Sequence, residues 1–213
     1  MANETNYIEA GVEAAERLLG IYKDSESWRE TKKTEDIIVY GKQSTEFGGH
    51  IYKAELVVDG AQDVAMKTWL PHPLGTRMEW DSFLELCEII KDFGDDTMIM
   101  RTVSKSIAMG LISKREFCDI VKISHYTDLQ AISSSCYSIE YPDCPIQSSY
   151  VRGKNYACGA FFRAVSGEEN KCEMTYIVQS DIGGMLPRTL VDSAVPNNMV
   201  KMMQTFKSAV ANK

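Results

Sequence analysis

Histidine and cysteine are the residue types from which a reactive or metal-binding centre is most often built, so their spacing bears first on what this chain can do. The three histidines stand apart: His50 beside Gly48-Gly49, His72 between Pro71 and Pro73, and His125 within a β-branched run. None belongs to an H-E-x-x-H pair or to a Cys/His ligand spacing, so no metal site is expected. The six cysteines, Cys87, Cys118, Cys136, Cys144, Cys158 and Cys172, contain no C-x-x-C pair and read as reduced, mostly buried thiols. A G-x-S-x-G nucleophile elbow, a phosphate loop and a G-x-G-x-x-G turn are all absent. The sequence therefore predicts no catalytic residue, no metal and no cofactor.

What remains is the chemistry of binding. Val191, Val195, Met199, Met202, Phe206 and Val210 recur every three or four residues near the C-terminus. On a helix that spacing gathers them on one face, with Asp192, Asn197, Lys201 and Lys207 pointing elsewhere. Such a stripe is either plain core or one wall of a cavity, for which two flexible thioethers would suit ligands of more than one shape. Spacing by itself favours core. Pro196 interrupts the stripe and lacks the N–H that would bond the Asp192 carbonyl, so a kink or a restart is expected there.

The elements that must position this stripe follow from periodicity. Ile8, Val12, Ala15, Leu18, Leu19 and Tyr22 predict an amphipathic N-terminal helix. IIVY and HIYKAELVV, separated by Phe47-Gly48-Gly49, predict a hairpin. A short helix over Gln62–Leu70 must end at Pro71-His72-Pro73. LELCEIIKDF, DTMIMRTV, REFCDIVKISHY, AISSSCYSIEY, YVRGKNYACGAFF and CEMTYIVQSD are β-branched, aromatic or alternating, with no long helix between them, so the sheet should be antiparallel. Pro187 marks the start of the last helix.

The 213 residues, 44% of them hydrophobic, suit one domain with a sizeable core. A net charge of −7 argues against a nucleic-acid partner, which needs clustered Lys and Arg. The opening MANETNYIEA has no apolar stretch of the signal-peptide kind, and no run nears the ~18 residues of a spanning helix. A cytoplasmic, monomeric protein is the expectation. Asn3-Glu4-Thr5 matches a glycosylation acceptor, which would matter only in a secreted chain.

Three stretches, Leu111-Ile112-Ser113-Lys114-Arg115-Glu116-Phe117, Tyr150-Val151-Arg152-Gly153-Lys154-Asn155-Tyr156-Ala157-Cys158-Gly159 and Ser180-Asp181-Ile182-Gly183-Gly184-Met185-Leu186-Pro187, resemble hallmark segments of START (StAR-related lipid transfer) domains in order and spacing. The resemblance spans nearly the whole chain and is nearest to the short members that include cytosolic sterol and bile-acid binders. It implies an α+β helix-grip fold, a curved antiparallel sheet around the C-terminal helix enclosing a tunnel for one lipid. Ser106–Gly110 resembles the family's first Ω-loop, which with the helix closes the entrance.

For the site, the resemblance together with strand alternation points to Trp80, Asp81, Met100, Thr102, Val121, Ile123, Tyr176 and Val178, joined by Val195, Met199, Met202 and Phe206 from the stripe. Asp81 also reads as a solvated turn residue or helix cap. Arg115 and Arg152 read equally well as structural salt bridges, and Trp28 and Trp69 as core. Cholesterol-binding members carry a buried acid and Arg where this chain aligns Thr102 and Val121. Both charges are missing together, which leaves neither stranded and places the chain nearer the bile-acid binder. The function implied is the binding of one steroid, bile-acid-like or other isoprenoid ligand and its exchange through transient membrane contact. The alternative is a pigment or sensor protein that sequesters its ligand, for example a carotenoid.

Overall fold

A computed structural model describes residues 4–213. Asn3 of the Asn3-Glu4-Thr5 motif lies outside them. The N-terminal pattern forms α1, Glu4–Lys23, with Gly11, Ala14, Ala15 and Leu18 on its buried face. Three strands follow: β1 (Arg29–Lys33), β2 (Ile37–Gln43) and β3 (His50–Val58). β2 and β3 form the expected hairpin. β1 has the sequence RETKK and is mostly exposed. It carries no apolar alternation to announce it, and this charged composition suits a strand at a sheet edge.

Next come α2 (Gln62–Trp69) and the single turn α3 (Arg77–Trp80), then β4 (Leu84–Asp92), β5 (Thr97–Ser104), β6 (Arg115–Tyr126) and β7 (Ala131–Ser138). The segment Tyr150–Phe162, read as one extended run, is broken into β8 (Val151–Arg152), β9 (Lys154–Asn155) and the start of β10 (Cys158–Val165). β11 (Glu168–Val178) and β12 (Ser180–Asp181) lead to α4 (Arg188–Ala211). The sheet order is β1-β2-β3-β11-β10-β7-β6-β5-β4, with β8 parallel to β6, and a separate two-stranded ladder pairs β12 with β9. All neighbours along the main order are antiparallel.

Successive side chains on a strand face opposite ways, and adjacent residues of β10 use this to serve two layers. Phe161 packs on α1 with Leu18 and Ile177 and stacks on Tyr22 at 4.0 Å. Phe162 joins the other face, where Met199, Met203, Phe206 and Val210 of α4 pack with Val39, Leu56 and Met174. The sheet thus carries α1 on one side and α4 on the other. α4 runs through Pro196 without restarting, and Pro196 is itself buried. Of the two outcomes expected at Pro196, the restart does not occur, and the proline is accommodated inside one helix.

Candidate ligand-binding site

Between α4 and the sheet lies a cavity of about 410 Å³ with a chiefly apolar wall. Period-two alternation builds most of it. Met100, Thr102 and Ser104 face it from β5, Arg115, Phe117, Asp119 and Val121 from β6, and Tyr176 and Val178 from β11. From α4 come Val191, Val195, Met199 and Met202. Loop residues Ile107, Ile112, Ile182 and Leu186 also belong to the lining.

Of the residues expected at the site, Met100, Thr102, Val121, Tyr176, Val178, Asp81, Val195, Met199 and Met202 are brought together here. Three are not. Phe206 is fully buried in the core, 5.7 Å from the Trp69 ring and 6.0 Å from that of Phe162. Trp80 packs against the same cluster and donates its indole N–H to the Thr68 carbonyl at 2.7 Å. Ile123 continues the inward series of β6 one step past the cavity and also packs on that cluster. The stripe on α4 is therefore divided: Val191, Val195, Met199 and Met202 face the cavity, and Phe206 and Val210 are core. Trp69, read as core, is both, being buried and on the lining.

The polar groups of the wall are where sequence reading missed most. Arg77 donates from Nε to Asp81 Oδ2 at 2.7 Å, and its guanidinium lies 3.8 Å from the centre of the Trp69 ring. Asp81 is neither solvated nor an N-cap. It is buried, and its Oδ1 accepts the Phe83 N–H at 3.0 Å. An ion pair so enclosed holds because each partner offsets the desolvation of the other. The i, i+4 spacing of Arg77 and Asp81 was the available signal.

Asp119, two residues before Val121 and thus on its face, was the second omission. It is buried, accepts from Ser138 Oγ at 2.6 Å and from Asn155 Nδ2 at 2.8 Å, and burial pushes its pKa up to about 6 against the pull of those two bonds. Ser180 in turn donates to Asn155 Oδ1 at 2.6 Å, so the network reaches β12 and the loop before α4.

Arg152 does form a structural ion pair. With Arg101 it holds the fully buried Glu116, at 2.9 Å and 2.7 Å. Arg115 does not. Its partners are the carbonyls of Ile182 at 2.9 Å, Gly183 at 3.3 Å and Ser113, and Oγ of Ser113 at 2.8 Å. A buried guanidinium offered carbonyls and no carboxylate keeps its charge uncompensated, and burial accordingly lowers its pKa. It also ties the loop around residue 113 to the loop leading into α4. Across the helix, Asp192 accepts from Tyr52 Oη at 2.9 Å and meets His50 Nδ1 at 2.9 Å, which fastens α4 to β3. Among the described residues no group of three or more His, Cys, Asp or Glu could hold a metal ion.

This architecture and sequence have recognised counterparts. StAR-related lipid transfer protein 5 of Bos taurus is 34% identical over 196 residues, 92% of each chain. StAR-related lipid transfer protein 4 of Homo sapiens is 29% identical over 88% of each. The solved structure of human StAR-related lipid transfer protein 5 superposes with a TM-score of 0.92 at 30% identity, covering 99% of both chains. The family model described as START domain matches residues 8–213, and the chain therefore belongs to the START domain family.

Proposed function

We propose that this protein is a carrier whose binding role calls on no catalytic residue: it encloses one lipid, of steroid, bile-acid-like or other isoprenoid type, in the cavity beneath α4 and exchanges it with membranes. The observation that carries this reading is the cavity itself. Its volume of about 410 Å³ lies within the range of roughly 300–1,000 Å³ typical of small-molecule sites. Its apolar wall supplies burial, and a few fixed polar groups supply orientation. The relatives named lipid transfer proteins support a lipid as the guest. Arg77, Asp81, Asp119 and Arg115 favour an amphipathic steroid over a wholly apolar one, since groups on a ligand can meet them. Carotenoid sequestration is favoured less, because the volume suits compact rings better than an extended polyene.

Membrane contact has a candidate surface. Met109, Leu111 and Met185 are exposed on the two loops that line the cavity, and exposed apolar side chains grouped in this way mark interaction sites. No helix among the described residues is long and apolar enough to cross a membrane. The reading is of a monomeric, cytoplasmic single-domain carrier.

Native mass spectrometry of the purified protein tests it. One bound lipid per chain is expected, and transfer of that lipid between vesicles should follow. Met202→Asp buries a charge in the cavity wall and should abolish binding while the far-ultraviolet spectrum of the sheet is retained. A variant that carries lipid as well as the original protein would refute the cavity as the site. Visible absorbance of the purified protein would favour the pigment reading.

A further inference from the structure

Cys136 of β7 and Cys158 of β10 are directly opposed in the antiparallel ladder, so their side chains leave the sheet on one face. Both line the cavity. Their sulfurs lie 3.1 Å apart in hydrogen-bonding contact, and both thiols are free. Opposed residues of an antiparallel pair hold their Cα atoms about 4.5 or 5.5 Å apart, inside the range of roughly 4.4–6.8 Å that a disulfide spans. Closing a bond between them asks for side-chain rotation and no movement of the strands.

The surroundings select the oxidant. The hydrogen bond with Cys158, together with burial, pushes the Cys136 pKa well above that of a free thiol, so a water-borne oxidant meets almost no thiolate. An apolar oxidant admitted to the cavity is held against the sulfur, and that proximity offsets the low thiolate fraction. A second pair supplies the contrast. Cys118 and Cys144 are buried together in the separate cluster around Ile99 and Ile120, and neither lines the cavity.

We propose that Cys136 and Cys158 form a two-electron redox site that reduces an organic hydroperoxide bound in the cavity and closes to a cross-strand disulfide. Cys136 is the more exposed residue of the two, and its sulfur attacks the terminal peroxide oxygen. The O–O bond breaks and the thiol proton passes to the departing oxygen, which releases an alcohol and leaves a sulfenic acid. The Cys158 sulfur then attacks the Cys136 sulfur. The S–S bond forms, the S–O bond breaks, and the hydroxyl leaves with the Cys158 proton as water. The peroxide is thus reduced by two electrons and the two thiols are oxidised by two, and an external dithiol restores them. The inference rests on the reading that the cavity admits an apolar guest, and it adds a reaction to that reading.

Cumene hydroperoxide and hydrogen peroxide, applied separately at equal concentration, are the probes. Intact mass and non-reducing peptide mapping are the readouts. Expected are a loss of two hydrogens that dithiothreitol reverses, a peptide linking Cys136 to Cys158, and one cumyl alcohol per chain. The rate should be about tenfold higher with the cumene compound than with hydrogen peroxide. Cys136→Ser and Cys158→Ser should each remove the linked peptide, and Cys118→Ser should leave it. Absence of the linked peptide, a link between Cys118 and Cys144 forming as fast, or equal rates with the two peroxides would overturn the proposal. Fluorescence of anilinonaphthalene sulfonate on the same sample tests the cavity reading separately. Probe binding without a linked peptide sinks the redox site alone, whereas loss of both sinks the cavity reading as well.

Discussion

At the scale of single residues the wall of the cavity is decided by a few buried charges, and two of them make predictions of opposite kind. Asp119 has its pKa raised by burial to about 6, against about 3.9 for a free carboxyl. Between those values the folded protein binds a proton at Asp119 that the unfolded chain does not, so this group's contribution to stability is fully present below about pH 4 and is lost as pH rises through about 6. Asp119→Asn removes this titration. Denaturant melts should show the original protein losing about 1–3 kcal/mol relative to the variant between about pH 4 and about pH 7, and a difference independent of pH would refute the assignment. Asp81 is the reverse case, because its charge is already matched by Arg77. Asp81→Ala strands a buried guanidinium, and a loss of about 3–5 kcal/mol is expected by the same melts. Neither role follows from residue type. The strand positions of the site are legible because alternation is rigid, so Val121 and Tyr176 fall on the cavity-facing side of their strands. Asp119 obeyed the same alternation and was passed over because a carboxylate in an apolar cavity contradicts expectation until Ser138 and Asn155 are seen to hold it.

At the scale of elements, what was legible was whatever carried an apolar period. α1, the β2–β3 hairpin, α2 and α4 fall where the spacing puts them, and the order of helix, antiparallel strands and helix was correct. The charged strand β1 and the one-turn α3 were missed, since the first has no alternation and the second is too short to show a period. The stripe on α4 was ambiguous for a sound reason: the same apolar residues serve as core at Phe206 and as cavity wall at Val195, and only the sheet's curvature separates them. Gly159 shows how closely the strands are fitted. It has φ of 146° and sits opposite Ser135, flanked by Leu18 of α1. A Cβ at this position would fall against the Ser134 carbonyl oxygen. Gly159→Ala must therefore displace β10 from β7, and a loss of at least about 2 kcal/mol in thermal or denaturant unfolding is expected. A neutral outcome would mean that the ladder between these strands is looser than its register indicates.

At the scale of the whole molecule, a buried ligand can leave only if part of the enclosure opens, and local opening draws on the segments with the fewest buried contacts. The loops around Ile107–Ile112 and Ile182–Leu186 both line the cavity, and Met109, Leu111 and Met185 on them are exposed. Arg115 is the tie between them, donating to Ser113 on one side and to Ile182 and Gly183 on the other. Hydrogen bonds from a charged donor are each worth roughly 1.5–3 kcal/mol, enough for one side chain to set how often the two loops part. Arg115→Ala removes all of these bonds while leaving the ion pairs at Glu116 and the sheet register untouched. Transfer of a fluorescent sterol between vesicles should become at least about tenfold faster, since about 1.4 kcal/mol suffices for that factor. Arg115→Lys, which keeps the charge but loses the planar fork, should fall between the two. Equal transfer rates in all three proteins, with ligand binding retained, would show that release is limited elsewhere. The Asp192 contacts with Tyr52 and His50, which hold α4 to β3, would then be the next fastening to cut.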